Sequence, residues 1–383
     1  MLLSSLLVMI SAAFNTINST NIFHNNSELS FGFDNSINIT VDGITFMGTQ
    51  PQDVSSSLPP EWSRICRIQP GLGCIHPSTK QIVVDTLAKV HPTCILCSVR
   101  RGEVLRFESL RHILQISVVR KHYAVTIGCA PGGNITLPYP MRAVGLKYIH
   151  VQDCLIRDSM ADYFNTDINM IPDTLVYYAI IDSRFYVDSS EFAVTVQNLQ
   201  FMTKAAKCGP EKELMVAISR NISYVFSKIV LPRVERMKGE ETPNAARAFY
   251  RGVSRAAFTC NYTKLIELDR SFARSLGSKH DSVLLQNSDF PALLVFNLSY
   301  SLLREVPGKF DDWRLYFPRM KIMDLTHNRI NDFKSVLDYG TKTEDPSMGT
   351  LDLRYNNITT ITLKQLRALQ HHKYVKVDIR NNP

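Results

Sequence analysis

The chain has 383 residues, of which 45% are hydrophobic and 20% charged, with a formal net charge of +8 and eight cysteines. That balance excludes an intrinsically disordered chain, and the length allows a large core or an elongated array. The excess of Lys and Arg favours acidic partners. The bases are scattered, with short clusters only at Arg100-Arg101 and Arg120-Lys121-His122, so the sequence carries no compact motif for specific nucleic-acid binding.

Residues 1–13 read as a secretory signal peptide: an apolar run from Met1 to Ile10 is followed by the small residues Ser11, Ala12 and Ala13. No later run approaches the roughly 18 apolar residues that a membrane span needs. Residues 14–60 are rich in Asn, Ser and Thr and read as a flexible extension closed by Pro59-Pro60. Eight N-x-[ST] sequons, at Asn18, Asn25, Asn38, Asn134, Asn221, Asn261, Asn297 and Asn357, add to the expectation of a secreted glycoprotein. The cysteines would then face an oxidising compartment, where bridges persist.

Residues 61–130 hold Cys66, Cys74, Cys94, Cys97 and Cys129. A zinc or redox reading of Cys94-x-x-Cys97 after His91 is disfavoured, because a secreted chain without a second CxxC is better served by structural disulfides. Cys66, Cys74, Cys94 and Cys97 are therefore disulfide candidates. The β-branched run Ile82-Val83-Val84 reads as a strand.

In residues 131–207 one spacing of apolar residues recurs. Leu146, Ile149, Val151, Cys154 and Ile156 form one copy, and Leu175, Tyr178, Ile180, Ser183 and Phe185 form the next. Val125, Ile127 and Ala130 form a poorer copy just before them. Residues 208–285 read differently. Leu214, Ile218, Ile222, Val225 and Ile229 step by four, four, three and four, which is one face of a helix. Leu265, Leu268, Phe272 and Leu276 do the same, and Cys208 and Cys260 bracket the segment as a long-range disulfide pair. A rival register makes Asn221 and Asn261 inward-facing residues of long degenerate copies.

Residues 286–383 carry the clearest copies: Leu293, Phe296, Leu298, Ser301, Leu303; Met320, Met323, Leu325, Asn328, Ile330; Met348, Leu351, Leu353, Asn356, Ile358; and Tyr374, Val377, Ile379, Asn382. The Ser or Asn positions lie 27, 28 and 26 residues apart. The two apolar residues either side of a single residue form a short strand whose alternate side chains face opposite ways. An Asn amide has two donors and an acceptor, so it can satisfy backbone groups where the chain turns beside a core. In the Cys154 copy a thiol S–H would replace that donor, which predicts a buried free thiol. The competing outcome is a Cys129–Cys154 bridge.

This pattern, L-x-x-L-x-L-x-x-N-x-L, resembles the leucine-rich repeat family, and the chain is similar in kind to Toll-type receptor ectodomains and secreted leucine-rich repeat proteins. The resemblance implies an α/β solenoid, with a curved parallel sheet on the concave side and helices and loops on the convex side. It also implies that the Cys-containing segment 61–130 is an N-terminal cap. Such arrays usually continue into a Cys-rich C-terminal cap, and no cysteine follows Cys260. The resemblance therefore implies either a longer natural product or end-to-end association through the uncapped terminus.

No G-x-S-x-G, P-loop, G-x-G-x-x-G or H-E-x-x-H is present, and no cofactor is implied. His371-His372 are adjacent and would point apart, which makes a poor metal pair. The repeats do predict a surface. Asn297, Asp324, Asp352 and Asp378 should form one column of the concave face, and Ser299, Thr326, Arg354 and Arg380 the next. Asp324, Asp352, Arg354, Asp378 and Arg380 are the candidate ligand-binding residues. The resemblance implies a non-catalytic extracellular protein that binds a protein or glycan ligand. The alternatives are a secreted structural or matrix protein assembled through the array, and a secreted enzyme.

Overall fold

The computed structural model describes residues 39–41, 44–46, 58, 60–109, 122–137, 145–158, 174–188, 213–227, 262–272, 290–306, 317–332, 349–363, 365–367 and 375–383. Strands are numbered along the chain. An antiparallel hairpin joins β1 (Ile39–Val41) and β2 (Ile44–Phe46). A single turn of helix, α1 (Pro60–Ser63), buries Trp62, whose indole N–H donates to the Arg106 carbonyl at 2.9 Å.

Among the described residues the rest is mixed α/β and is organised by one long sheet of 11 strands. Its members are β3 (Cys66–Gln69), β4 (Thr93–Val99), β6 (Tyr123–Cys129), β8 (Leu146–Gln152), β10 (Tyr177–Ile181) and β12 (Val216–Arg220). They continue into β14 (Glu267–Asp269), β15 (Val295–Asn297), β16 (Ile322–Asp324), β17 (Gly349–Asp352) and β18 (Val375–Asp378). Only β3 is antiparallel to its neighbour; from β4 onward every pairing is parallel and follows the sequence order. A second, five-stranded parallel sheet contains β5 (Val104–Arg106), β7 (Asn134–Thr136), β9 (Leu155–Arg157), β11 (Arg184–Val187) and β13 (Ser223–Phe226).

The register explains the core. One residue per strand, from Ile95 through Val125, Ile149, Tyr178, Ala217, Leu268, Phe296, Met323 and Leu351 to Val377, lies in a single inward row. These side chains pack with Leu105, Ile135, Ile156 and Phe185 of the second sheet in one continuous core. Burying this row is the dominant stabilising term, at about 25 cal/mol per Å² of apolar surface removed from water. Strands predicted around Leu298, Leu325, Leu353 and Ile379 are present, in sequence order and parallel. Their centres sit two residues earlier, at Phe296, Met323, Leu351 and Val377.

The Asn positions behave as their chemistry predicts. Asn328 donates through Nδ2 to the carbonyls of Leu298, Leu325 and Thr326, and its Oδ1 accepts from the amides of Ser301 and Leu303. Asn356 donates to Leu325, Leu353 and Arg354 and accepts from the Ile330 amide. Asn382 donates to Leu353 and Ile379 and accepts from the Ile358 amide. Ser183 and Ser301 occupy the same position with fewer bonds: each hydroxyl meets the carbonyl two residues back and also the preceding unit, Ser183 accepting the Cys154 amide at 3.2 Å and Ser301 lying 3.3 Å from the Arg270 carbonyl.

Four expectations are corrected. Ile82-Val83-Val84 is not a strand but part of α2 (Gln81–Val90); Val83 and Leu87, one helical turn apart, are both buried, which outweighs β-branched propensity. The one-face helix of residues 214–229 is instead β12 and β13, and the segment around Leu268 is β14. In β12 apolar residues lie on both faces, Val216 and Ile218 on one and Ala217 on the other, so a helical spacing arises by coincidence. Asn221 is exposed and donates to the Asp182 carboxylate at 2.7 Å, so it does not face inward as the rival register required. Cys154 is not a free thiol: it is bridged to Cys129, with Cα atoms 5.0 Å apart, because adjacent strands bring the two residues together.

Cys94 and Cys97 form no CxxC unit. Cys94 is bridged to Cys74 and Cys97 to Cys66. Their side chains leave β4 on opposite faces, as strand residues three apart do. Cys208, Cys260, Asn261, Ile229, Leu276, His371-His372, the leader and Asn18, Asn25 and Asn38 lie outside the described residues.

Candidate functional site

The long sheet has one face turned to the core and one turned away, and the outer face divides into two unlike halves. Over β4 to β12 the outward residues are mostly apolar or aromatic, among them Leu96, Ala124, Tyr148, Tyr177, Ala179 and Val216, with Thr126 and Gln152 as buried polar members. They are covered by Ile75 and by Val83 and Leu87 of α2, which form a second core with them. The Cys74–Cys94 bridge ties this cover to the sheet. Thr126 Oγ1 donates to the Cys74 carbonyl at 2.7 Å, and the Tyr148 hydroxyl accepts the His76 amide at 3.1 Å. His76 and His150 are 1% and 0% exposed and stack at 4.8 Å, and Tyr148 stacks on Tyr177 at 4.3 Å. Burial pushes the Tyr148 hydroxyl up to about 12 and raises Tyr177 further, so both hydroxyls keep their protons. At the cover's far edge Lys80 pairs with Glu267 at 2.5 Å.

From β14 to β18 the same face is mixed: one row holds Glu267, Val295, the exposed Ile322, Thr350 and Lys376, and the next row is polar. The outward residue after each inward one is Asp269, Asn297, Asp324, Asp352 and Asp378, five successive members of one register column. Each side-chain Oδ1 accepts the amide two residues on: Ser271 at 2.8 Å, Ser299 and Thr326 at 2.9 Å, Arg354 and Arg380 at 3.2 Å. In the last two rows the charge is also compensated. Arg354 makes a two-pronged ion pair with Asp352, at 2.9 and 2.7 Å, and Arg380 does the same with Asp378, at 2.9 and 2.6 Å. Arg354 Nε also lies 3.8 Å from Asp378. The hydrogen bond from Arg380 holds the Asp378 carboxyl down at about 2, and the partner carboxylates raise both arginines.

The predicted columns are thus in place: Asp324, Asp352 and Asp378 align, with Arg354 and Arg380 beside them. Asn297 sits in the acid column, half-buried, and Asn357 is exposed. Asn134 is on β7 of the second sheet, with its Nδ2 turned to the Gly132 carbonyl at 3.4 Å.

Sequence reasoning passed over a third row. Just after each strand the chain turns through a residue with positive φ: Asp153, Asp182, Asn221, Phe272, Tyr300, His327, Tyr355 and Asn381. Successive members are knit by backbone bonds, from the Asp153 amide to Ile181, Asp182 to Arg220, Asn221 to Ser271, Phe272 to Ser299, Tyr300 to Thr326 and His327 to Arg354. Asp and Asn tolerate that conformation, but bulky side chains are uncommon there. Phe272, Tyr300, His327 and Tyr355 nevertheless hold it and stack in a line, with centroids 4.4, 4.2 and 4.3 Å apart and planes within 8°. The residue before each Asn position was the available signal: aligning the copies puts Tyr300, His327 and Tyr355 at one offset.

Among the described residues no group of three or more His, Cys, Asp or Glu side chains is placed to hold a metal ion. No described helix is long and apolar enough to cross a membrane. No family model matches this chain, and no curated protein matches it.

Proposed function

We propose that the chain is a leucine-rich repeat solenoid that works outside the cell as a non-catalytic binding protein, taking a protein or glycan ligand on the polar half of its concave face. The observation that carries this reading is the repeated Asn chemistry. Asn328, Asn356 and Asn382 each bridge two successive units with the same backbone bonds. The sheet-and-turn units stack in sequence order, as a solenoid's must. Three disulfides among the described residues fit a secreted or extracellular protein, as do the leader and the sequons. The face from Asp324 to Arg380 is the recognition strip of this reading, since its aligned acids and arginines offer both hydrogen-bond donors and acceptors.

The test is retention of ligands by the full secreted chain on an array of glycans and extracellular protein domains. A discrete set of ligands is expected, with Asp352→Asn plus Arg354→Gln weakening retention about tenfold, or 1.4 kcal/mol. An array that retains nothing above background would refute the reading.

A further inference from the structure

The aromatic row beside the strip costs the protein something that a purely structural turn would not. Three units earlier in the array fill the same turn position with Asp153, Asp182 and Asn221, residues suited to positive φ. The later units place Phe272, Tyr300, His327 and Tyr355 there instead. Strained backbone of this kind is a pointer to function. The rings are not hidden: Tyr300 is 40% and Tyr355 46% exposed, and the neighbouring Leu302, also at positive φ, is 41% exposed.

What the row can bind follows from which part of the rings is outward. The three stacks, at 4.2–4.4 Å, consume both faces of Tyr300 and His327 and one face each of Phe272 and Tyr355. Solvent meets Tyr300 and His327 at their edges, the positive end of the aromatic quadrupole, with the polar atoms of phenol and imidazole, while Phe272 and Tyr355 each keep one face outside these stacks. The next row outward is Leu302, Arg329 and Asn357, joined to its neighbours through the Arg329 amide to Leu303 and the Asn357 amide to Ile330. Arg329 and Arg304 are both exposed; Glu305 lies one residue further along the chain, also exposed. None of Phe272, Tyr300, His327, Tyr355, Leu302, Arg329 and Asn357 is a carboxylate. On the inner side Asp352 and Asp378 are neutralised by Arg354 and Arg380, and Asp269 and Asp324 are turned onto the Ser271 and Thr326 amides.

We propose that the ridge of Phe272, Tyr300, His327 and Tyr355, with Leu302 and Arg329, is a docking surface for an extended protein segment carrying carboxylates and apolar side chains. The carboxylates meet ring edges, hydroxyls and guanidinium, and the apolar side chains meet Tyr300 and Leu302. Tyrosine and arginine are the residues on which interface energy concentrates. A sulfated glycan would satisfy the charge but has no side chains to cover Leu302 and the rings. This inference rests on the reading of the chain as a binding protein and moves the principal contact from the floor of the face to its rim.

The experiment selects twelve-residue peptides from a random phage-displayed library on the full secreted chain, with heparin oligosaccharide as a parallel probe. The variants are Tyr300→Asn with Tyr355→Asn for the ridge and Asp352→Asn with Arg354→Gln for the strip. Asn already fills the turn position at Asn221 and Asn381, and neither ridge change creates a sequon, so the ridge variant should keep its melting midpoint. The expected result is peptides enriched in Asp or Glu and in large apolar residues, bound at least tenfold more weakly by the ridge variant. Peptides lost only by the strip variant overturn the ridge and leave the binding-protein reading standing. Ridge-dependent binding of heparin without acidic peptides overturns the protein partner. A lowered melting midpoint with unchanged peptide binding makes the ridge structural.

Discussion

At the scale of single residues, the side chains that matter most are those that answer backbone groups the turns would leave unpaired. Asn356 lies buried between two units and satisfies three carbonyls and one amide. Truncation would orphan several of these at once, and each buried unsatisfied group costs about 1–3 kcal/mol. Asn356→Ala is therefore expected to destabilise by about 3 kcal/mol in urea denaturation, allowing for partial access of water. Asn356→Ser should cost less, because Ser301 and Ser183 fill the same position and still donate to a nearby carbonyl. An equal cost for both would show that the additional bonds of the amide are immaterial. This rank order was legible in the sequence, since an Asn or Ser at a fixed offset has one use there. The aromatic turn row went unread because positive φ leaves no mark in hydrophobic spacing.

At the scale of elements, α2 decides how much of the outer face is available. Val83 and Leu87 seal it against Leu96, Ala124 and Tyr148. Leu87→Ala is expected to cost 2–5 kcal/mol by the usual cavity term, if the cover and the sheet unfold together. Hydrogen exchange should then speed up in 81–90 before it does in β14 to β18. Uniform acceleration would mean that the cover is not a separate element. Removing the Cys74–Cys94 bridge as a Ser pair closes no loop in the unfolded chain and should cost about 3 kcal/mol, measured by the same denaturation. The helix was misread as a strand because three β-branched residues outweigh periodicity in so short a window. The β14 unit was misread for another reason. Buried Arg270 sits where Leu298, Leu325 and Leu353 follow, and Ala273 stands where Asn is expected, so the pattern that marks its neighbours is missing.

At the scale of the whole molecule, the two halves of the long sheet should answer acid differently. Asp378 is held at about 2, below the ordinary unfolded value of about 3.9. A depressed folded value means stabilisation that is present above about pH 4 and lost as pH falls toward 2. The last strand, β18, is expected to lose amide protection through that window while α2 and β4 retain theirs. Asp378→Asn should flatten the dependence. If β18 keeps its protection at pH 2, or the variant titrates like the parent, the Asp378–Arg380 pair is a surface contact of no consequence, as many exposed pairs are.

The sequence by itself determined the strands of the last four units, their parallel order, the Asn chemistry and the alignment of Asp324, Asp352 and Asp378. Each of these follows from side-chain period and hydrogen-bonding capacity within one unit. Tertiary structure decided the rest. The partner of Cys154 depended on two strands lying side by side, and the pairings of Cys94 and Cys97 on strand faces pointing apart. The identity of 81–90 as a helix depended on a second core on the far side of the sheet. The stacked ridge depended on turns 27 or 28 residues apart coming within 4.4 Å, a distance that only the sheet's register sets.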